Sequence, residues 1–270
     1  MRSGSFTTNL GVIRYWVTDA PLAGKPWLVL LPGLTADHRL FARQIKYFTG
    51  RYNLFVWDAP AHYRSRPFEL AFDLDDMARW LGEILDVEGI ERHVLVGQSL
   101  GGYISQAFMD LFPGRAEGFV SIDSAPLQKR FYPDWELAAL KRMDAITRCI
   151  PWNVLKPWGA WGTATTMYGR HMVYRFLETY GEAEYRRLMV FGYGMLARAV
   201  EKDRAYRIDC PTLLICGQSD HAGDVKTYNR KWSRAIGCPV HWIRGAGHNS
   251  NTDRPREINS LIEGFVGSLQ

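Results

Sequence analysis

The sequence predicts an α/β fold, a mostly parallel sheet flanked by helices, on three observations. Strand-like apolar runs alternate with helical ones along most of the 270 residues. One such run, His93-Val94-Leu95-Val96, passes directly into Gly97-Gln98-Ser99-Leu100-Gly101-Gly102 and then into a helical pattern. Between Pro126 and about Ile208 the strand signal stops and helical spacing takes over. A structureless loop of roughly 80 residues does not occur inside a compact domain, so this segment is a folded insertion.

Taken in order, the runs Val12 to Trp16, Trp27 to Leu31, Leu54 to Trp57, Val94 to Val96 and Gly118 to Ile122 read as strands. Helices are expected around Ala36 to Phe48, from Leu74 to Leu85, and after Ser99, where Ile104, Ala107, Phe108 and Leu111 keep helical spacing until Pro113-Gly114. Strands resume at Thr212 to Cys216 and Val240 to Ile243, separated by a helix around Val225 to Ala235 and followed by one near Pro255 to Val266. Residues 1-125 and 209-270 are therefore expected to form the core, and residues 126-208 a helical cap.

With 47% hydrophobic residues the chain can bury one large core plus an inserted subdomain. No run approaches the roughly 18 apolar residues of a membrane span, and Met1 to Asn9 lacks the apolar stretch of a secretory signal, so a cytoplasmic location without membrane span is expected. Cys149, Cys210, Cys216 and Cys238 match no zinc or redox spacing and read as buried free thiols. The net charge of +5 comes from scattered arginines and lysines, which does not indicate a nucleic-acid partner.

The strand ending in G-x-S-x-G forces Ser99 into a tight strand-to-helix bend, with its hydroxyl at the mouth of the sheet. A serine hydroxyl is not ionised at neutral pH, so a nucleophilic role requires a base to take its proton. His248, in the loop Gly245-Ala246-Gly247-His248-Asn249 after the last strand-like run, is the candidate base. The base in turn needs a carboxylate to fix its tautomer. Asp220, just past the Thr212 to Cys216 run, is preferred over Asp123, one strand earlier, because the order Ser, Asp, His with the acid after this strand is the arrangement to expect on such a sheet. The backbone N–H groups of Leu100 and Leu34, the latter in the loop Leu31-Pro32-Gly33-Leu34-Thr35, are the candidate oxyanion donors.

Together these segments resemble the α/β-hydrolase family, from about residue 10 to the C-terminus apart from the insertion, and the resemblance implies a cap inserted after the sixth strand. Pro32-Gly33-Leu34 is similar to the family's His-Gly-x oxyanion loop, with Pro32 in place of histidine. Asp58-Ala59-Pro60-Ala61-His62-Tyr63-Arg64-Ser65 is similar to its Asp-x-Pro-Gly-x-Gly-x-Ser turn, with Ala61 and Tyr63 in place of glycines, so an altered local backbone is expected there. Ser99 argues against epoxide hydrolases and dehalogenases, which carry aspartate at that position. The loop Leu34 to His38 does not reproduce the glycine-rich oxyanion loop of carbon–carbon bond hydrolases.

The expected activity is hydrolysis of a carboxylic ester or thioester of a small, largely apolar or aromatic molecule through an acyl-enzyme. The alternatives are a carbon–carbon bond hydrolase or acyltransferase on the same triad, and a weakly catalytic small-molecule receptor. The resemblance implies that the cap roofs the site, so Trp152, Trp158, Trp161, Tyr168 and also Met167 are candidate substrate contacts, with His38 and His171 as candidate polar ones. Gly192-Tyr193-Gly194-Met195-Leu196-Ala197 fits a dinucleotide fingerprint but follows no strand, and is not read as one. The chemistry requires no cofactor or metal, and a monomer or homodimer is expected.

Overall fold

The computed structural model describes residues 1–269, the side chain of Ile146 excepted. Eight strands form one sheet: β1 (Arg2–Thr7), β2 (Val12–Val17), β3 (Trp27–Leu31), β4 (Asn53–Asp58), β5 (His93–Gln98), β6 (Ala116–Ile122), β7 (Thr212–Gly217) and β8 (Val240–Ile243), in the order β1-β2-β4-β3-β5-β6-β7-β8. From β4 to β8 every pairing is parallel, while β1 with β2 and β2 with β4 are antiparallel. The fold is thus the predicted mostly parallel sheet flanked by helices. β1 was not expected: its sequence Arg2-Ser3-Gly4-Ser5-Phe6-Thr7 is polar because it forms an exposed edge hairpin with β2.

Apolar residues run almost unbroken through the central strands because both faces of the sheet are covered. Leu28 and Leu30 of β3, Leu54 and Val56 of β4, and Val94 and Val96 of β5 face one core, packed by α1 (Ala42–Phe48) and α11 (Pro255–Gly267). Val29, Leu31, Phe55, Trp57 and Leu95 face the other, packed by α2 (Leu74–Val87), α3 (Leu100–Leu111) and α9 (Val225–Ile236). Each fully buried large aliphatic or aromatic side chain stabilises the fold by about 1.5–3 kcal/mol. The start of α2 is fixed by a capping box in which Asp73 accepts from the Asp75 and Asp76 N–H groups while Asp76 accepts from the Asp73 N–H.

Sheet order places β3 between β4 and β5, so the connection after β3 runs to one side, to β4, and the connection after β5 runs to the other, to β6. The carboxyl ends of β3 and β5 therefore flank a switch point, where an open α/β sheet leaves a crevice. Between β6 and β7 the chain runs through α4 (Asp134–Lys141), α5 (Met143–Arg148), α6 (Trp152–Thr163), α7 (Met167–Leu177) and α8 (Glu182–Glu201). Arg204, after α8, is buried between Asp75 and Asp110, and Lys202 bridges Asp73 and Asp75. These pairs tie the end of the inserted helices to α2 and α3.

The other anchor is Asp253, at the end of the short α10 (Ser250–Asp253). Its carboxylate accepts from the N–H groups of Gly247 (2.9 Å), Thr165 (3.0 Å) and Thr166 (2.9 Å), and from the Thr166 hydroxyl (2.7 Å). The Asn249 N–H adds a bond to the Thr163 carbonyl at 2.8 Å. The α6–α7 junction and the loop after β8 are thereby one hydrogen-bonded unit. Asp253→Ala strands several part-buried donors and is expected to lower the free energy of unfolding by about 3 kcal/mol. Urea denaturation measures this, and a loss below about 1 kcal/mol would remove Asp253 as the anchor.

Candidate active site

Ser99 sits between β5 and α3 with φ 49° and ψ −114°, a backbone conformation that L-residues rarely adopt. Two glycines make that bend possible. A Cβ on Gly101 would lie 1.8 Å from the Leu31 carbonyl oxygen, and one on Gly97 would lie 2.4 Å from the Gly101 carbonyl. The Ser99 N–H donates to the Ile122 carbonyl at 2.9 Å and its own carbonyl accepts from the Ser124 hydroxyl at 2.8 Å, so β6 holds the turn from beside.

The Ser99 Oγ lies 2.9 Å from His248 Nε2, and His248 Nδ1 lies 2.9 Å from Asp220 Oδ2. Asp220 is fully buried at its side chain, and its Oδ1 accepts from the Ala222 N–H at 2.8 Å. Gln98, between Gly97 and Ser99, donates from Nε2 to the His248 carbonyl at 2.8 Å and so fixes the loop that carries the imidazole. Burial lowers the His248 pKa, but the charge and hydrogen bond of Asp220, with a further contribution from Asp123, raise it above the ordinary histidine value.

Asp123 occupies a different position. Its two oxygens accept from the Gly217 N–H (2.7 Å) and the Ser250 N–H (2.8 Å), joining the end of β7 to the start of α10. Burial, then the neighbouring Asp220 carboxylate, push its pKa up. Asp220 is thus the carboxylate that meets the imidazole, and Asp123 is bonded to backbone.

A cavity of about 400 Å³ opens over Ser99 and His248, with Leu34 and Leu100 in its lining. The backbone N–H of Leu100 belongs to the first turn of α3, where unpaired amides and the helix dipole favour negative charge. The inserted helices supply much of the remaining wall: Leu155, Trp158, Gly159, Gly162, Tyr185, Met189, Tyr193 and Leu196. No Asp, Glu, Lys or Arg lines it among the described residues. Burial keeps the phenols of Tyr103 and Tyr185 neutral by pushing their pKa values up.

Of the aromatic side chains expected to contact substrate, Trp158 lies in this wall and the others do not. Trp152 packs on the Tyr185 ring at 5.4 Å, and Trp161 faces outward beneath the Arg170 guanidinium at 3.5 Å. Tyr168 packs on the α1/α11 side of the sheet under Arg43. His38 bonds the Asp58 carboxylate at 2.8 Å and stacks on Trp16. His171 and Met167 are exposed. Tyr103 was not singled out from the sequence, although its place one turn after Ser99 on α3 could have revealed it. The rejected dinucleotide segment lies inside α8, and its Gly192 lets the helix close on Leu34, where a Cβ would meet that side chain at 2.4 Å.

Two clusters bring metal-ligating atoms together, Asp37-His38-Asp58 and Asp123-Cys216-Asp220. Their carboxylates are already engaged by protein donors: Asp37 by Arg39, Asp58 by His38 and the Arg64 N–H, and Asp123 and Asp220 as above. At the Asp58 turn, Ala61 (φ 68°) and Tyr63 (φ 36°) are left-handed, so the backbone has a glycine-type conformation without the glycines. The cost is of order 1 kcal/mol per residue.

A family profile described as the alpha/beta hydrolase family matches residues 28–261. The chain is 23% identical over 254 residues to a 2-succinyl-6-hydroxy-2,4-cyclohexadiene-1-carboxylate synthase of Serratia proteamaculans, covering 90% of this chain and 94% of that one. A shorter match, 33% over 105 residues, covers 38% of this chain and spans only 37% of the 30 kDa magnesium-chelatase subunit of Rhodobacter capsulatus. Among solved structures, a thermophilic esterase from Thermogutta terrifontis superposes with a TM-score of 0.77 at 18% identity, covering 100% of this chain and 99% of that one. With the profile spanning most of the sheet and both ends of the site, the chain belongs to the alpha/beta hydrolase family of enzymes.

Proposed function

We propose that the protein is a serine hydrolase that cleaves a carboxylic ester or thioester of a small, uncharged, largely apolar or aromatic molecule. The observation that carries this reading is the continuous chain from Ser99 Oγ through both nitrogens of His248 to the buried Asp220 carboxylate. The Ser99 oxygen attacks the ester carbonyl carbon while its proton passes to His248 Nε2. The negative charge that develops on the carbonyl oxygen is met by the backbone N–H groups of Leu34 and Leu100, and such donors typically supply a few kcal/mol. Asp220 holds the imidazole in the tautomer that can accept at Nε2 and stabilises the imidazolium.

Collapse breaks the carbon–oxygen bond, and the alcohol leaves with the proton from His248. Water then attacks the acyl-enzyme, giving its proton to His248, and the acid departs as Ser99 recovers its hydrogen. The uncharged, mostly apolar wall supports a neutral acyl group, with the phenols and Thr35 as hydrogen-bonding partners. We place residues 126-208 in the role of a cap over this cavity.

Ser99→Ala is expected to reduce turnover of short p-nitrophenyl esters by at least about 10⁴-fold and to abolish fluorophosphonate labelling, with the fold intact by circular dichroism. Full activity in that variant removes the assignment. The imidazole must be neutral to act as a base, so kcat/KM should rise with pH through a value above the ordinary histidine value of about 6.5. Asp220→Asn should lower kcat by about 10³–10⁴-fold and move that rise to lower pH, because the raising carboxylate charge is gone. An unmoved profile would show that another group governs it.

Gly159 and Gly162 have open space where a Cβ would stand, although both border the cavity. Gly159→Leu should therefore fold normally and lower kcat/KM about tenfold or more for long acyl chains, leaving acetate esters little changed. A panel of acyl lengths measures this, and a uniform loss across the panel would argue that the acyl group lies elsewhere.

A further inference from the structure

Helix α6 carries two faces. Leu155, Gly159 and Gly162 line the cavity, whereas Val154, Trp158 and Trp161, spaced four and three residues apart, form one outward stripe that is 49%, 60% and 63% exposed. Trp158 belongs to both, so the stripe is continuous with the cavity wall. Met167, at the start of α7, is 77% exposed. Large aromatic side chains left in water at this level mark a surface that something covers.

Charge indicates what covers it. From Ala145 to Leu177 the chain contains no Asp or Glu, yet it holds Lys156, Arg170 and Arg175, besides Arg148, which pairs with Asp144. The Arg170 guanidinium stands 3.5 Å from the ring centroid of Trp161. Tryptophans seat at the headgroup level of a bilayer, and cations beside them are attracted to acidic lipids. No helix among the described residues is long and apolar enough to cross a membrane, so contact through this face is peripheral.

We infer that the outward face of α6, with the start of α7, docks on an anionic lipid surface beside the cavity mouth. An apolar ester dissolved in that surface would then reach the cavity along Trp158 without crossing open water. The docking itself does not depend on the ester-hydrolase reading, and its test measures partitioning alone.

The test is sedimentation of the full chain with vesicles of phosphatidylglycerol and phosphatidylcholine, set against vesicles of phosphatidylcholine alone. Binding is expected to the first only and to weaken as salt is raised. Two variants leave the cavity wall untouched. Trp161→Ser combined with Met167→Ser should lower partitioning about tenfold, and separately Arg170→Gln about fivefold, with melting curves unchanged. Failure to sediment with phosphatidylglycerol vesicles would overturn the inference. So would wild-type partitioning in both variants, or a dimer seen by gel filtration that the Trp161 variant dissolves while vesicle binding is absent, which would assign the face to a second copy of the chain.

Discussion

The backbone of Ser99 is the constraint on which the rest of the site depends. A left-handed residue between a strand and a helix is tolerable only if its surroundings over-determine it. Here Gly97 and Gly101 let α3 start against the end of β3, so close that any side chain at 101 would enter the Leu31 carbonyl. The same approach sets the Leu34 loop beside the first turn of α3, and the switch in strand order leaves the crevice above them open. The position of the Ser99 hydroxyl, the Leu100 amide and the cavity floor thus follow from one bend. Gln98 extends the effect, because the residue before the bend reaches across to the carbonyl of His248.

What could be read from the sequence follows the same physics. Strands buried on both faces, such as Trp27–Leu31 and His93–Gln98, announce themselves as apolar runs, and the bend after them has a glycine requirement that leaves its mark at fixed spacing. Asp220 and His248 were legible because each lies in the loop after a strand, a few residues past the ends of β7 and β8. Edge and packing features were not. β1 has no apolar run because half of its surface faces water, and Asp253, an ordinary acid in sequence, draws its partners from Thr165, Thr166 and Gly247. The cavity-facing side chains were the hardest to name, since which side of α6 turns inward depends on how five helices pack. Helical spacing alone does not separate Trp158 at the cavity from Trp161 in solvent.

The anchoring of those helices has a consequence for how the site is held. Their junction between α6 and α7 is bonded through Asp253 to Gly247, the residue before His248, and through the Thr163 carbonyl to Asn249, the residue after it. The imidazole therefore stands on a loop clamped on one side by Gln98 from the core and on the other by the inserted helices. Displacement of α6 from the sheet would be felt at His248 through hydrogen bonds rather than through loose packing. Rigid coupling of this kind keeps the imidazole at bonding distance from both of its partners.

Two buried carboxylates within one small volume show how environment divides labour between chemically identical groups. Burial, and then the nearby Asp220 carboxylate, oppose ionisation of Asp123. Asp220 meets the His248 imidazole, together with a backbone N–H from Ala222. Asp123 gains the neutral N–H groups of Gly217 and Ser250, which fix geometry but supply no compensating full charge. The charge and hydrogen bond of Asp220 raise the basicity of the His248 ring, with a further contribution from Asp123. Replacing Asp123 by asparagine would keep the shape while removing the competing charge, but it would place an NH₂ against one of two N–H donors. A carboxyl at position 123 answers both donors at once, and this accounts for a second acid in so dry a place.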